Sequence, residues 1–215
     1  MNKTIYICYK TLPEIEKYSK NWEKLNPDWK IQLYDDKLCK KFLLENYSQL
    51  HVDIFDFIPD GPIKADFWRV CILNKYGGLY VDADIEPIKK LDSYIDEDDH
   101  FVTCISALSP NHHMNPHFIL SYKDNPILEE CINKYIKFYK DKKKYKYWDW
   151  SVVTMFNNIK LFKENIKKKG AQVIEIDNKK YKFLQENSDK NKCLYDGEPM
   201  FNNRYKIYKN HKFVK

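Results

Sequence analysis

The chain predicts an α/β fold, an open, mainly parallel sheet flanked by helices, and three observations carry that reading. Short apolar runs alternate with runs of helical period through the first half. Turn and cap residues fall between them. Two aspartates, Asp82 and Asp84, stand where the third apolar run ends. Strands that alternate with helices build parallel sheets, and such sheets place ligands at the carboxyl ends of their strands.

Taken in order, Thr4 to Tyr9 reads as a buried first strand. Thr11-Leu12-Pro13-Glu14 supplies a capping box with proline in the first turn. Ile15, Tyr18, Trp22 and Leu25 recur at helical spacing, and Asn26-Pro27-Asp28 stops that helix. Lys30 to Tyr34 alternates as a second strand. Asp35 or Asp36 caps a second helix whose inward face is Leu38, Phe42, Leu43 and Tyr47. Residues 48 to 59 show no clean period and read as a loop or a short helix.

Asp60-Gly61-Pro62 then starts a helix with Ile63, Phe67, Val70 and Leu73 on one stripe, and Gly77 ends it in a left-handed conformation. Leu79 to Val81 is the third strand and Phe101 to Ile105 the fourth. A polar, ring-rich loop from Ser109 to His117 precedes a helix from Pro126 to about Tyr139. Tyr147-Trp148-Asp149-Trp150 opens a further apolar helix. Two strand-like pieces, Gln172 to Ile176 and Tyr181 to Leu184, are followed by irregular chain.

At 215 residues the chain is long enough for one domain with a sizeable core. Its 37 basic against 31 acidic side chains leave a net +6, concentrated in Lys142-Lys143-Lys144 and Lys167-Lys168-Lys169. These runs read first as solvated faces and second as contacts with a membrane surface or an acidic partner. No Gly-rich or Arg-rich nucleic-acid module accompanies them, so no nucleic-acid partner is expected. The six cysteines are spread without a C-x-x-C and predict reduced, buried thiols. No apolar run reaches the roughly 20 residues of a transmembrane helix, and the first strand is too short for a signal-peptide core. The expectation is a soluble, cytoplasmic protein.

The chemistry concentrates in Ile63 to Glu86. Two carboxylates at i and i+2 at a strand end can converge on one hard cation, Mn²⁺ or Mg²⁺, which keeps positions open for substrate phosphates. Such an ion would neutralise charge on a departing diphosphate. Arg69, on the preceding helix, offers a bidentate clamp for phosphate or sugar oxygens. D-x-D also arises by chance in an Asp-rich chain, and Asp66 with Arg69 reads equally as a surface ion pair of little worth.

The run A-D-F-W-R followed by Y-G-G-L-Y-V-D-A-D resembles the signature of glycosyltransferase family 32, the sugar transferases containing the DXD motif. The matching positions are Ala65, Asp66, Arg69, Leu73, Gly77, Gly78, Tyr80, Asp82 and Asp84. Upstream, Leu25 to Trp29 and Leu33 to Asp36 are similar to further family segments, and Lys3 to Lys10 looks like its first strand, with Tyr6 and Tyr9 where His and Trp are usual. The likeness runs from about residue 3 to 95.

The resemblance implies a GT-A type fold, a Rossmann-like nucleotide-sugar half over residues 1–106 and an acceptor-side half over 107–215, within a single domain. It implies a retaining transferase that moves a hexose or N-acetylhexosamine from a UDP- or GDP-linked sugar to a hydroxyl of a glycan, lipid or protein. On that likeness Asp66 contacts the ribose or donor sugar, Arg69 its sugar or phosphate, and Tyr80 and Gly78 the donor, with Tyr6 and Tyr9 near the base. Asp82 and Asp84 hold Mn²⁺ or Mg²⁺. His211 is similar to a late family histidine that completes a metal shell.

Outside the motif, Asp149 between two tryptophans reads either as part of a sugar-stacking platform that receives acceptor hydroxyls or as a helix cap among core aromatics. His112, His113 and His117 read as solvent-exposed loop residues or as acceptor or metal contacts. Two other functions share these residues. One is a carbohydrate-binding protein that kept the fold and lost catalysis. The other is a phosphohydrolase or nuclease, which needs more carboxylates than the nearby Glu86.

Overall fold

A computed structural model describes residues 1–106, 114–166, 170–187 and 191–202. The expected cysteine chemistry holds: all six thiols are free and five are buried, Cys8 being half-buried. The first half follows the predicted alternation. Strand β1 (Thr4–Cys8) leads into α1 (Leu12–Leu25), β2 (Lys30–Tyr34), α2 (Asp36–Asn46), α3 (Gln49–Phe57), α4 (Gly61–Tyr76) and β3 (Gly78–Val81). Asp35 caps α2 by accepting from the Leu38 backbone N–H at 2.8 Å. Asp60 occupies the cap position of α4 without a side-chain cap bond, and Thr11 that of α1 without one to the described residues. Glu14 and the side chain of Tyr18 lie outside the described residues. Within residues 48 to 59, Gln49–Phe57 form the helix α3, because His51, Ile54 and Phe55 bury one face despite the weak period.

Helix α4 departs from the single-stripe expectation. Besides Ile63, Phe67, Val70 and Leu73, it buries Asp66, Trp68, Arg69, Cys71 and Ile72. A helix covered on all sides is a core element. It is also the helix that carries two of the charged candidates. Gly77 (φ 65°) ends it by donating to the Leu73 carbonyl at 2.8 Å. A Cβ at Gly77 would lie 2.8 Å from the Lys123 nitrogen, and one at Gly78 (φ 104°) 2.8 Å from the Thr4 carbonyl oxygen. The Gly-Gly pair therefore lets helix α4 turn sharply into β3 and lets β3 press against β1.

Beyond β3 come β4 (Glu86–Pro87), a 3₁₀ turn (Leu91–Ser93), β5 (Asp99–Ile105), β6 (Met114–Ser121), α5 (Pro126–Lys140), α6 (Tyr147–Trp150), α7 (Val152–Asn158), α8 (Lys160–Asn165), β7 (Gln172–Ile176), β8 (Lys179–Asn187), β9 (Lys192–Tyr195) and β10 (Glu198–Asn202). The strand order is β2-β1-β3-β6-β5-β8-β9-β10-β4, with β7 paired to β8. Strands β2, β1 and β3 are parallel, as are β5 and β8. Strand β6 runs antiparallel between β3 and β5, and the β8-β9-β10-β4 end is antiparallel. The sheet is thus parallel at its first edge and mixed beyond it.

Two predictions for the second half are corrected. The polar loop to His117 gives way at Met114 to β6, whose Pro116 to Ser121 run is buried from both sides of the sheet. Among the described residues after Leu184 the chain is not irregular: Cys193, Met200 and Phe201 are buried in β9 and β10. Their short, interrupted apolar runs left no readable period.

Candidate active site

Strands β1, β3, β5 and β8 point their carboxyl ends the same way, since β6 reverses twice between β3 and β5. An open cleft of about 910 Å³ lies along that edge. Cys8, Tyr9 and Lys10 enter it from the end of β1, Asp82, Ala83 and Asp84 from β3, Ser106 from β5 and Glu186 from β8. Pro116 and His117 of β6, Asp66 and Arg69 of α4, and Tyr147, Trp148 and Ser151 close the other side.

Arg69 is the centre of the buried wall, 3 % exposed. Its Nε donates to the Ala65 carbonyl at 3.2 Å and its Nη1 to the Pro116 carbonyl at 2.6 Å. Its Nη2 lies 3.2 Å from Asp66 Oδ1 and 3.0 Å from Asp82 Oδ1. The guanidinium also stacks over the Tyr80 ring, 4.3 Å from its centroid. Burial works against its charge, but the carboxylate of Asp82, the Tyr80 oxygen and Asp66 outweigh it and hold it firmly protonated. Of the five N–H donors of an arginine, these contacts leave about one. The predicted bidentate clamp on a ligand is therefore not available, and Arg69 orients the two aspartates instead.

Asp66 is equally committed. Its Oδ2 accepts from the Ser151 hydroxyl at 3.1 Å and from the Val152 backbone N–H at 3.0 Å, at the start of α7. Ser151 in turn accepts from the Val153 N–H at 3.2 Å. Burial raises the Asp66 pKa, and the neighbouring Arg69 charge only partly opposes it. Sequence reading missed Ser151; its S-x-x before an apolar helix was the available signal.

Tyr80 is buried on β3 and donates its hydroxyl to Asp82 Oδ1 at 2.7 Å, with Cys8 Sγ 3.7 Å from the Tyr80 hydroxyl oxygen. Burial pushes the Tyr80 hydroxyl well above its ordinary pKa, so it remains a donor. Asp82 itself is half-exposed; its backbone N–H is tied to the His117 carbonyl at 2.8 Å, and the tight turn closes through Ile85 N–H to Asp82 C=O at 3.0 Å. One carboxylate oxygen of Asp82 is thus oriented from behind by Arg69 and Tyr80. Asp84, half-exposed and lining the cleft, stands one turn position further out.

The remaining predicted residues divide. Tyr9 lines the cleft, and its backbone N–H donates to the Tyr34 carbonyl at 3.0 Å. Tyr6 does not line it: the ring is 2 % exposed, its hydroxyl accepts from Asn2 at 3.2 Å, and it packs beside Gly78. Gly78 begins β3 while Asp82 follows its end, so Gly78 sits at the far edge of the sheet, where its role is backbone packing. Asp149 turns from the cleft to a Lys143 ion pair at 3.1 Å, and Trp150 is a core residue. Of that trio only Trp148 reaches the cleft, and it is 66 % exposed. His117, expected in an exposed loop, is buried in β6 with its ring against Phe201. Glu86 accepts from Asn202 at 2.9 Å and takes no part in the cleft. His112, His113, the Lys167–Lys169 run and His211 lie outside the described residues.

A metal's fit is decided by the donor set. Asp82 and Asp84 supply carboxylate oxygens and no sulfur or nitrogen at an open, water-accessible edge, which suits Mg²⁺ or Mn²⁺. A denser carboxylate cluster, Asp96, Asp98 and Asp99, lies at the opposite edge, where β5 begins. Lys182 is 2.7 Å from Asp99 and 2.9 Å from Asp96, and Lys180 is 2.6 Å from Asp96, 3.2 Å from Asp98 and 3.4 Å from Asp99. The two ammonium groups already fill the place of a cation there.

The comparisons with known proteins agree with this geometry. Residues 13–102 match the family described as the glycosyltransferase sugar-binding region containing the DXD motif. Over this stretch, which is under half of the chain, it is similar to the DXD sugar transferases. Over 81 residues the chain is 37 % identical to the initiation-specific α-1,6-mannosyltransferase of Candida albicans, covering 37 % of this chain and 21 % of that protein. Over 112 residues it is 30 % identical to inositol phosphoceramide mannosyltransferase 3 of Schizosaccharomyces pombe, covering 51 % of this chain and 30 % of that one. The chain thus spans under a third of the length of these two relatives. The fold is shared with the solved PaToxG glycosyltransferase, at a TM-score of 0.58 and 18 % identity over 77 % of this chain and 70 % of that one. It is the GT-A architecture that the sequence resemblance implied. Among the described residues no helix is long and apolar enough to cross a membrane.

Proposed function

We propose that the chain is a metal-dependent glycosyltransferase that takes a hexose, mannose first, from a UDP- or GDP-linked donor and moves it to an acceptor hydroxyl with retention of configuration. The observation that carries the proposal is the Asp66–Arg69–Asp82–Tyr80 network, which spends a buried cation and a buried hydroxyl on aiming one carboxylate at the cleft. Such an investment in an otherwise apolar helix is hard to explain by stability, because buried ion pairs seldom repay their desolvation. The names of the curated relatives favour mannose among hexoses.

In this reading Asp82 and Asp84 hold Mn²⁺ or Mg²⁺, which supplies Lewis-acid stabilisation of the leaving diphosphate. Arg69 and Tyr80 keep Asp82 pointed outward. Asp66 anchors the start of α7 and so fixes the wall beside the donor. Tyr9 and Lys10 bound the nucleotide end of the cleft, with Lys10 placed to offset phosphate charge. Glycan, lipid or protein hydroxyls enter from the side of Tyr147 and Trp148. Donor hydrolysis tests the assignment directly. UDP- and GDP-linked hexoses and N-acetylhexosamines are incubated with the protein in Mn²⁺, Mg²⁺ or EDTA, and one donor class should be consumed only with metal present. Equal hydrolysis in EDTA, or none with any donor, overturns it.

A further inference from the structure

We infer that the segment joining α5 to α7, residues 140–148, docks the cleft mouth onto an anionic phospholipid surface. One acidic residue, Asp141, interrupts this lysine-rich stretch and Asp149 follows it, and both are spent locally. Asp141 pairs with Lys137 at 2.8 Å and Asp149 with Lys143 at 3.1 Å. Lys140, Lys142, Lys144 and Lys146 are exposed and have no ion-pair partner among the described residues. Four positive charges therefore stand uncompensated within seven residues.

Exposed rings accompany them. Trp148 is 66 % exposed and Tyr147 39 %, and the two rings meet edge to face at 5.2 Å. Phe57, 43 % exposed, adjoins the same face through Tyr139 at 5.5 Å and the buried Trp150 at 5.3 Å. Behind this face the segment is fixed to the body: Tyr145 donates to Asp60 at 2.6 Å, and Trp150 is fully buried. The rings are thus presented on a rigid base. The sequence puts a solvated face first and a membrane surface or acidic partner second for the Lys142–Lys144 run, and the exposed rings grouped beside it favour the second.

The chemistry selects the partner. A neutral glycan platform pairs a ring with carboxylate or amide acceptors for hydroxyl groups, and here the nearby carboxylates are occupied. Free ammonium groups beside exposed Trp and Tyr match the headgroup layer of an anionic bilayer, where aromatic rings settle at the interface and lysines gain attraction from acidic lipids. Tyr147 and Trp148 also line the cleft, so docking would bring its mouth to lipid-borne hydroxyls. That consequence rests on the proposed function; the docking does not.

The test is co-sedimentation of the full chain with phosphatidylcholine vesicles with and without phosphatidylserine, in the absence of any donor. Binding is expected only to the anionic vesicles and should weaken with salt. Removing a lysine should weaken it about fivefold, so Lys142→Ser/Lys144→Ser/Lys146→Ser should lose about a hundredfold. A blue shift of tryptophan fluorescence on vesicle addition should disappear in Trp148→Phe. Melting temperature and donor hydrolysis of the triple variant, measured without vesicles, should match the parent, so that failure of docking is distinct from failure of the transferase reading. Equal binding to neutral vesicles, undiminished binding of the triple variant, or binding to heparin with none to vesicles overturns the inference.

Discussion

The two edges of the sheet each carry a partly buried ionic cluster, and the one at the carboxyl edge lines a cleft. At the carboxyl edge, one guanidinium serves Asp66 and Asp82, burial raises the Asp66 pKa, and Asp82 keeps a side open to solvent. At the opposite edge, Lys180 and Lys182 face Asp96, Asp98 and Asp99, with Lys182 also donating to the Tyr94 carbonyl at 2.9 Å. Here the hydrogen bond from Lys180, then that from Lys182, lowers the Asp96 pKa to about 2. The second cluster is closed on itself and joins the turn before β5 to β8. The first is strained by burial and opens outward. Carboxylate density alone points to the opposite edge; topology and the cleft point to Asp82 and Asp84.

The largest expected effect separates the edges by activity. Asp84→Asn should lower metal-dependent donor turnover by at least about a hundredfold, the scale of a lost Lewis-acid contact. Its stability in urea should change by less than about 1 kcal/mol, since the side chain is half-exposed. Retained turnover would remove Asp84 from the metal site. The next effect is on stability. Arg69→Met leaves the buried Asp66 without its cation and should cost about 3–5 kcal/mol in denaturant unfolding, while Lys182→Met leaves the buried Asp99 only Lys180 at 3.4 Å and should cost somewhat less. Assayed well below its melting temperature, Lys182→Met should keep donor turnover while Arg69→Met loses it. A parallel loss in both would make the two clusters equivalent and break the comparison.

Legibility in the sequence follows the same division. The first half could be read because each local rule agreed with the fold: Asp35 capped its helix, Gly77 ended α4, and β1, β2 and β3 kept simple apolar runs. The D-x-D at a strand end was readable as position. What each side chain does there was not, since Arg69 and Asp66 differ from a surface ion pair only in their burial, and burial on all sides of α4 depends on α3, α5 and α7 folding around it. Gly78 and Tyr6 were misplaced for a related reason. A motif position gives no sign of which edge of the sheet it occupies. Strands β6, β9 and β10 stayed hidden because only the completed sheet buries them.

The smallest effect concerns the sign of the acid response, and it sharpens the contrast most. Asp96 has a folded pKa of about 2 against an ordinary 3.8, so its contribution is present above the unfolded value and is lost as pH falls from about 4 towards 2. Its side chain is 56 % exposed, so solvent screening limits that contribution to about 1 kcal/mol or less. The stability difference between the parent and Asp96→Asn should therefore be visible at pH 5–7, shrink below pH 4, and shrink at any pH in high salt. Asp66 behaves in the opposite sense. Its folded pKa is raised, chiefly by burial, so its favourable contribution is present below the unfolded value and is lost as pH rises through the folded one. Relative to Asp66→Asn, the parent should gain stability as pH falls, resisting salt because the carboxyl is buried. Urea unfolding of the three proteins from pH 3 to 7 checks both signs, and slopes of the same sign would show that burial does not set the site edge apart from the closed one.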